Sequence, residues 1–360
     1  MNSHHFAFPQ SVRRIAVFDT EYSLNADDTC TSEISFMPEL SISLRTSSPL
    51  CQLALTSRLC NGAKFEGSTN APVRQRTVNG DPTDAAVLRF AEVSLHKCLS
   101  LDDSADVLPL LSDDYKKIFE IPFNSRNKWM MSVFQDYTFK SEESTGQPWM
   151  LVKGAPEVLF PSSTSILDSN GKAVPLNAGR QNRLSQLQHK WCSEGQRVIA
   201  VCKRSLDTLK LPKDETELEE MLYNELDELT LVGLISIWDP PRADVKDAVR
   251  IIRDAGVRIF MVTGDFMVTA VAIARQVLIA SPPFALQVGG HTYKLFRWES
   301  SHRIGMIPSI AYLVQSLAMS QMVISSVTFL GQTLAMSQMS HQRRSPRKCR
   351  FPCQCAKLLR

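Results

Sequence analysis

Four short strings in this 360-residue sequence combine residue types that can hold a phosphorylated ligand. Asp239 and the triplet Thr263-Gly264-Asp265 each follow an apolar run, Leu231–Ile237 and Val257–Val262. Ligands of open α/β sheets sit at the carboxyl ends of strands, so both positions are candidates. Gly264 admits a close backbone approach. Thr263 and Asp265 can hydrogen-bond a phosphate or a metal-bound water, and a helix start behind them offers free N–H groups to an anion. The same Thr and Asp serve equally well as caps of that helix, and spacing alone leaves the two readings level. Phe123 closes another strand-like run, and the polar stretch behind it carries Lys128. A base could stack on the ring and a phosphate could approach the ammonium. Lys153-Gly154 ends a further run. Taken singly, these two strings fit a core phenylalanine and solvated lysines better.

The elements that must position these residues follow from pattern. Asn79-Gly80-Asp81-Pro82 predicts a turn into a helix: Asp81 suits the N-cap, Pro82 the first helical position, and Asp84 the positive helix start. Lys117–Phe123 and Trp129–Asp136 read as strands around the polar loop 124–128, and Trp149–Lys153 as another. Helices are expected from Pro156 to Phe160 and over Ala178–Glu194, with Arg197–Lys203 as a strand between them and the acidic stretch Leu211–Glu228, a solvated helix or linker. Leu231–Ile237 has the continuous apolar character of a strand buried on both faces. A helix over Ala243–Ala255, stopped by Gly256, a second buried strand at Val257–Val262 and a helix at Val268–Val277 complete a strand–helix–strand–helix unit, for which a parallel doubly wound sheet is expected.

Composition narrows the class. The chain is 44% hydrophobic and 21% charged, an ordinary globular balance that excludes a disordered chain, a collagen-like fibre and a polytopic membrane protein. Its net charge of +3 owes its sign to the last twenty residues, which hold seven Lys or Arg and no acid. The body is mildly acidic, so no nucleic-acid partner is expected, and the short basic run Arg343–Arg350 reads as solvated. The nine cysteines show no framework spacing and are expected to be reduced thiols. Cys349, Cys353 and Cys355 lack a convincing fourth metal ligand. Ile304–Ser340 contains no Asp, Glu, Lys or Arg and repeats QSLAMSQM as QTLAMSQM. Its serines and glutamines favour an irregular tail over a membrane span.

In order, the chain reads LCNGAKF (Leu59–Phe65), NGDPTDAAVL (Asn79–Leu88), EIPFNSRNKWMMSV (Glu120–Val133), LVKGAPE (Leu151–Glu157), GQRVIAVC (Gly195–Cys202), LVGLISIWDPPR (Leu231–Arg242) and MVTGD (Met261–Asp265). This series resembles the cytoplasmic part of type II P-type cation-transporting ATPases, over about residues 51–280. The resemblance implies an α/β chain: an α+β nucleotide-binding domain with a mainly antiparallel sheet at 51–229, joined to a partial doubly wound, parallel-sheet phosphorylation domain at 230–281. A poorly ordered segment at 1–50 and a divergent tail at 282–360 would flank them. It implies ATP as ligand, with Mg²⁺ as the nucleotide's counter-ion. Phe123 matches the phenylalanine that stacks on adenine, and Lys128 and Lys153 the lysines of the pocket, with Gly154 permitting close approach. Asp84 matches an acidic residue, usually glutamate, near the adenine amino group, and Arg197 an arginine that reaches the phosphates. Asp239, Arg242, Thr263, Gly264 and Asp265 match motifs that contact phosphate or join the two domains.

Departures from the family pattern bear on mechanism. The phosphorylated aspartate of Asp-Lys-Thr-Gly-Thr has no counterpart, since Asp19-Thr20-Glu21 lacks the lysine and the glycine. The magnesium-binding Gly-Asp-Gly-x-x-Asn-Asp loop, the Thr-Gly-Glu-Ser string of the actuator and the transport helices are not found either. Phe266-Met267 stand where His-Pro usually follows. The expectation is an ATP-binding portion of a pump, on the cytoplasmic side of a membrane, whose partners in a full-length protein would be its own membrane domain and a cation. A stand-alone ATP-binding or regulatory module is the alternative. A haloacid dehalogenase-type phosphatase would need an Asp-x-Asp motif after a strand, and none is suitably placed. The half-complete second sheet is expected to leave Leu231–Ile237 and Val257–Val262 with unpaired edges.

Overall fold

A computed structural model of the chain describes residues 10–24, 43–66, 71–101, 111, 113–138, 146–206, 211–212, 214–257, 259, 261, 263–279, 284–288 and 291–296. Two strands come first, β1 (Ser11–Val17) and β2 (Thr20–Ser23). Helix α1 (Pro49–Leu59) follows, capped by the Ser48 hydroxyl. Strands β3 (Lys64–Glu66) and β4 (Thr77–Asn79) form a small hairpin of their own. Helix α2 (Pro82–Cys98) begins where the turn string places it: the Asp81 carboxylate accepts from Thr83 N at 2.8 Å, with Pro82 at the first position. Gly80, at φ +139°, makes the sharp entry that a side chain would not allow, because a Cβ there would lie 2.7 Å from Ala63.

The central strands are β5 (Tyr115–Ile121), β6 (Trp129–Asp136) and β7 (Gln147–Gly154). Then come α3 (Pro156–Leu159), β8 (Ser163–Leu167), β9 (Ala173–Pro175), α4 (Ala178–Ser193), β10 (Arg197–Ser205), α5 (Glu215–Asn224) and β11 (Leu229–Trp238). Helices α6 (Val245–Asp254) and α7 (Met267–Gln276) and a hairpin, β12 (Phe284–Val288) with β13 (His291–Phe296), close the described chain.

The main sheet runs β2-β1-β11-β10-β7-β6-β5, every pair antiparallel, with β8 adding to β11 in parallel and β9 to β8. Strand alternation sends Trp129, Met131, Met150 and Val152 to one face, where they meet Leu184 and Trp191 of α4 and Leu218 and Leu222 of α5. The opposite face packs Met130, Phe134, Trp149 and Leu151 against Leu55 of α1 and Leu95 of α2. The sheet is thus covered on both sides, which explains why β11 is apolar almost throughout and β10 is apolar over Val198–Cys202.

Three expectations are corrected here. Leu231–Ile237 is a strand, but its neighbours β1 and β10 are antiparallel to it, so it does not open a parallel doubly wound unit. It has no bare edge either, because β1 and β8 share the side that β10 leaves open. The main sheet therefore runs across the expected boundaries at residues 50 and 229. Second, Val257, Ile259 and Met261 carry no strand, while Arg258, Phe260 and Val262 lie outside the described residues. Third, Cys51 and Cys98 form a disulfide between α1 and α2, with Cα atoms 6.2 Å apart. Their 47-residue separation gave no hint of it; helix packing brings them together. Cys60, Cys192 and Cys202 are buried free thiols, and burial raises Cys60 to about 11 and Cys202 to about 12. The uncharged run 304–340, the basic tail and its three cysteines lie outside the described residues.

Candidate functional site

Register alone brings the first group of candidates together. Ile121 faces Met131 across β5 and β6, and Trp129 and Met130 face Gly154 and Lys153 across β6 and β7. The end of β5, the start of β6 and the end of β7 therefore lie side by side. Phe123 projects just beyond this corner, 58% exposed and outside all three core clusters. The loop that follows is tied: Asn127 N donates to Asn124 Oδ1 at 2.8 Å, and Asn127 Nδ2 donates to the Tyr223 hydroxyl at 3.2 Å. Tyr223 in turn lies 5.4 Å from the Trp129 ring, centroid to centroid. Lys128, in the left-handed region at φ +61°, directs its ammonium to Glu157 at 3.3 Å and remains 42% exposed.

Lys153 is the buried cation of this corner. Its side chain is 5% exposed, and its ammonium lies 2.6 Å from Asp84 Oδ1. The second Asp84 oxygen accepts from Gly62 N at 3.0 Å. Asp84 is delivered to this place by the first turn of α2. Gly154 has a reason of its own to be glycine: a Cβ would stand 2.5 Å from Lys128 O and 2.7 Å from Trp129 Cβ. Its neighbour Ala155 donates to the same Lys128 oxygen at 3.0 Å. The close approach the structure shows at Gly154 is thus between two strands.

A second group gathers on the other side of the α2 start. Arg197, opening β10, donates to Thr83 Oγ1 at 2.9 Å and to Asp265 Oδ1 at 2.8 Å. Asp265 is fixed by Thr263, whose hydroxyl donates to Oδ2 at 2.8 Å and accepts from Asp265 N at 3.1 Å. Asp239, just after β11, accepts from Gln10 Nε2 at 2.8 Å, and Gln10 Oε1 accepts from the Thr83 hydroxyl at 3.2 Å. Burial raises the Asp239 carboxyl above the usual range despite the opposing charge of Arg197, and the neighbouring Asp265 adds to the rise. Gly264 has open space where a Cβ would go. Arg242 stands apart from both groups, exposed and paired with Asp244 at 2.7 Å.

Two consecutive residues of α2 thus connect the groups: Thr83 faces Arg197, and Asp84 faces Lys153. Sequence reasoning passed over Thr83, Glu157 and Gln10. The first two lie inside strings already singled out, next to a predicted N-cap and at the end of LVKGAPE. Nothing in the sequence points to Gln10, which arrives through the pairing of β1 with β11. A cavity of about 240 Å³ elsewhere is lined by Phe18, Asp19, Glu21, Arg180, Arg183 and Lys190, among others, and includes none of the candidates. Arg183 pairs there with Asp19 and Lys190 with Glu21, while the Arg180 guanidinium lies 4.7 Å from the centroid of the Phe18 ring. Among the described residues no group of three or more His, Cys, Asp or Glu could hold a metal ion.

The corner thus holds an exposed aromatic ring, a surface lysine paired with Glu157 and a buried lysine paired with Asp84, and beside it an arginine that reaches from the sheet to the following segment. The chain belongs to the P-type ATPase family: residues 50–244, more than half of its length, match the family's cytoplasmic domain N. It is 35% identical over 226 residues to potassium-transporting ATPase alpha chain 2 of Cavia porcellus. It is 36% identical over 232 residues to the sodium/potassium-transporting ATPase subunit alpha-A of Artemia franciscana, and over 230 residues to subunit alpha-2 of Bos taurus. These alignments cover 62–64% of this chain but only 20–22% of the relatives, so the chain spans about a fifth of their length.

Proposed function

We propose that this chain binds ATP at the corner formed by Phe123, Lys128 and Lys153, as the nucleotide-binding portion of a P-type cation-transporting ATPase. The observation that carries the reading is the pairing of a 58% exposed phenylalanine with two lysines across three adjacent strand ends. Stacking on an exposed aromatic face contributes roughly 1–3 kcal/mol per base. Lys128 supplies charge at the surface, and Arg197 supplies it to phosphates on the side of Asp265. Mg²⁺ would come with the nucleotide, as the counter-ion of its phosphates.

Arg197 gives the site its link to the segment beyond β11. It holds Thr83 and Asp265 at once, so a phosphate that engages the guanidinium competes with Asp265. Asp239, Thr263, Gly264 and Asp265 then serve the junction between a nucleotide-binding unit and a phosphorylation unit, and Arg242, paired with Asp244, stays outside it. The cation and a membrane domain are partners of the complete pump. Phosphoryl transfer in such a pump needs a carboxylate nucleophile, and the 360 residues contain no Asp-Lys-Thr-Gly-Thr string. Among the described residues no helix is long and apolar enough to cross a membrane. The polypeptide by itself is therefore expected to bind ATP without turning it over. Incubation with ATP labelled at the γ-phosphate, followed by acid quench, tests this: nucleotide is retained before the quench and no acyl phosphate remains after it. An acid-stable, hydroxylamine-sensitive phosphoenzyme would overturn the reading.

A further inference from the structure

We infer that the cavity between the β1–β2 turn and α4 binds a small organic monoanion, an apolar body carrying one carboxylate. The site lies apart from the nucleotide corner and does not depend on it. Its floor belongs to the main core: Ala16 of β1, Ile166 of β8 and Leu184 of α4 line it, and each is buried. Walls of this kind favour the apolar body of an organic ligand. A dry cavity of about 150 Å³ takes benzene, so one of about 240 Å³ takes a body of roughly ten heavy atoms. Arg183 and Lys190 at its edge are exposed, so the mouth faces solvent.

The charges select the ligand's sign. Arg180, Arg183 and Lys190 line the cavity against Asp19 and Glu21. Both acids are already paired. Arg183 donates to the Asp19 carboxylate at 3.0 Å and to the Asp19 backbone oxygen at 2.8 Å, and Glu21 accepts from Lys190 at 3.2 Å and from Trp191 Nε1 at 2.8 Å. One cation is left over. Arg180 is half-buried with its guanidinium against the Phe18 ring, and it meets no carboxylate among the described residues. Stacking engages the face of a guanidinium and leaves its N–H edges for a planar, bidentate acceptor. Phe18 breaks a local rule to supply that platform. It opens the two-residue turn between Val17 and Thr20 and sits at φ +51°. Hairpin turns favour Gly, Asn or Asp where φ is positive, and a bulky side chain is out of place there. The ring rests on the core beside the cavity and holds Arg180 over it.

Isothermal titration of the full chain with hydrocinnamate, and with hydrocinnamyl alcohol as its uncharged counterpart, tests the inference in wild type, Arg180→Gln and Leu187→Trp. Arg180→Gln removes the surplus charge, and Leu187→Trp fills the cavity from the helix side. A thermal melt of each variant checks that it is folded. Wild type is expected to bind the carboxylate saturably, with a Kd on the order of 0.1–1 mM for so small a ligand. Arg180→Gln should weaken that binding about tenfold or more, the loss of a charge-assisted contact, and Leu187→Trp should abolish it. The alcohol should bind wild type about tenfold more weakly than the carboxylate and should not respond to Arg180→Gln. Saturating MgATP should leave the carboxylate titration unchanged. No saturable binding by wild type, equal affinity for the alcohol, a Kd unmoved in either folded variant, or displacement by MgATP would each overturn the inference. The first two comparisons need no variant, so a substitution that fails to fold leaves the test intact.

Discussion

Replacing Gly154 by alanine separates a glycine kept for the ligand from one kept for the fold. The added Cβ would meet Lys128 O at 2.5 Å and Trp129 Cβ and Cα at 2.7 and 2.8 Å. Two of these three atoms are backbone, so no side-chain rotation relieves the clash. Relief requires β6 and β7 to part by several tenths of an ångström at the pair Trp129–Gly154. The same movement stretches the hydrogen bond from Ala155 N to Lys128 O. Overpacking of this kind costs roughly 1–3 kcal/mol, and a weakened backbone hydrogen bond adds up to about 1. Lower entropy of the unfolded alanine chain returns roughly 0.4–1 kcal/mol. The net loss of about 1–3 kcal/mol corresponds to a Tm lower by roughly 2–12 °C for a unit of this size. Differential scanning calorimetry on wild type and Gly154→Ala measures it, with ATP titration of both at a temperature where each is folded. Unchanged Tm accompanied by lost ATP binding would refute the reasoning, because it would assign the glycine to the ligand and not to the strand pair.

Three further outcomes are expected. Lys203 is 4% exposed beside Leu44 O, Gln52 and the Trp149 ring, and burial pulls its ammonium down to about 7, with Asp136 opposing and Arg45 adding to the fall. Between its folded and unfolded values the unfolded chain binds the extra proton, so stability rises with pH; relative to Lys203→Met, wild type should gain up to ~1.4 kcal/mol per pH unit from pH 7 to 9 in urea unfolding, and parallel profiles would contradict this. Reduction of the buried Cys51–Cys98 bridge should lower unfolding stability by ~2–4 kcal/mol; equal urea midpoints with and without dithiothreitol would argue against the bridge. Asp265→Asn removes a partly exposed ion pair with Arg197 and should cost no more than about 1 kcal/mol, which a melt would show as a small shift; a large loss of cooperativity would mean that the contact holds the 263–279 segment in place.

The local elements were legible because their signals are local. The N-cap at Asp81, the proline that starts α2 and the apolar runs of β6 and β7 beside the polar loop 124–128 each act within a few residues. Partner choice was not legible. Leu231–Ile237 is apolar on both faces whether its neighbours run parallel or antiparallel, so the pattern could not choose between them. What settles the matter is β1, more than 200 residues earlier: Arg14–Phe18 looks strand-like in the sequence, but nothing in its Ser- and Thr-rich context names its partner. The disulfide and the Gln10–Asp239 contact were hidden for the same reason. At the site, the residue types could be named in advance, but the commitment of Asp84 to Lys153 could not. It depends on how far the first turn of α2 reaches toward the end of β7.

The most direct test of the central claim is titration of the purified chain with MgATP, in parallel with Phe123→Ala. The ring is 58% exposed and packs in no core cluster, so its removal should leave Tm unchanged within about 0.5 kcal/mol of stability. Wild type should bind saturably, and Phe123→Ala should bind roughly 5- to 150-fold more weakly, the loss of one base stack. Saturable binding with the same Kd in both proteins would place the nucleotide elsewhere, and no binding by wild type would contradict the account outright.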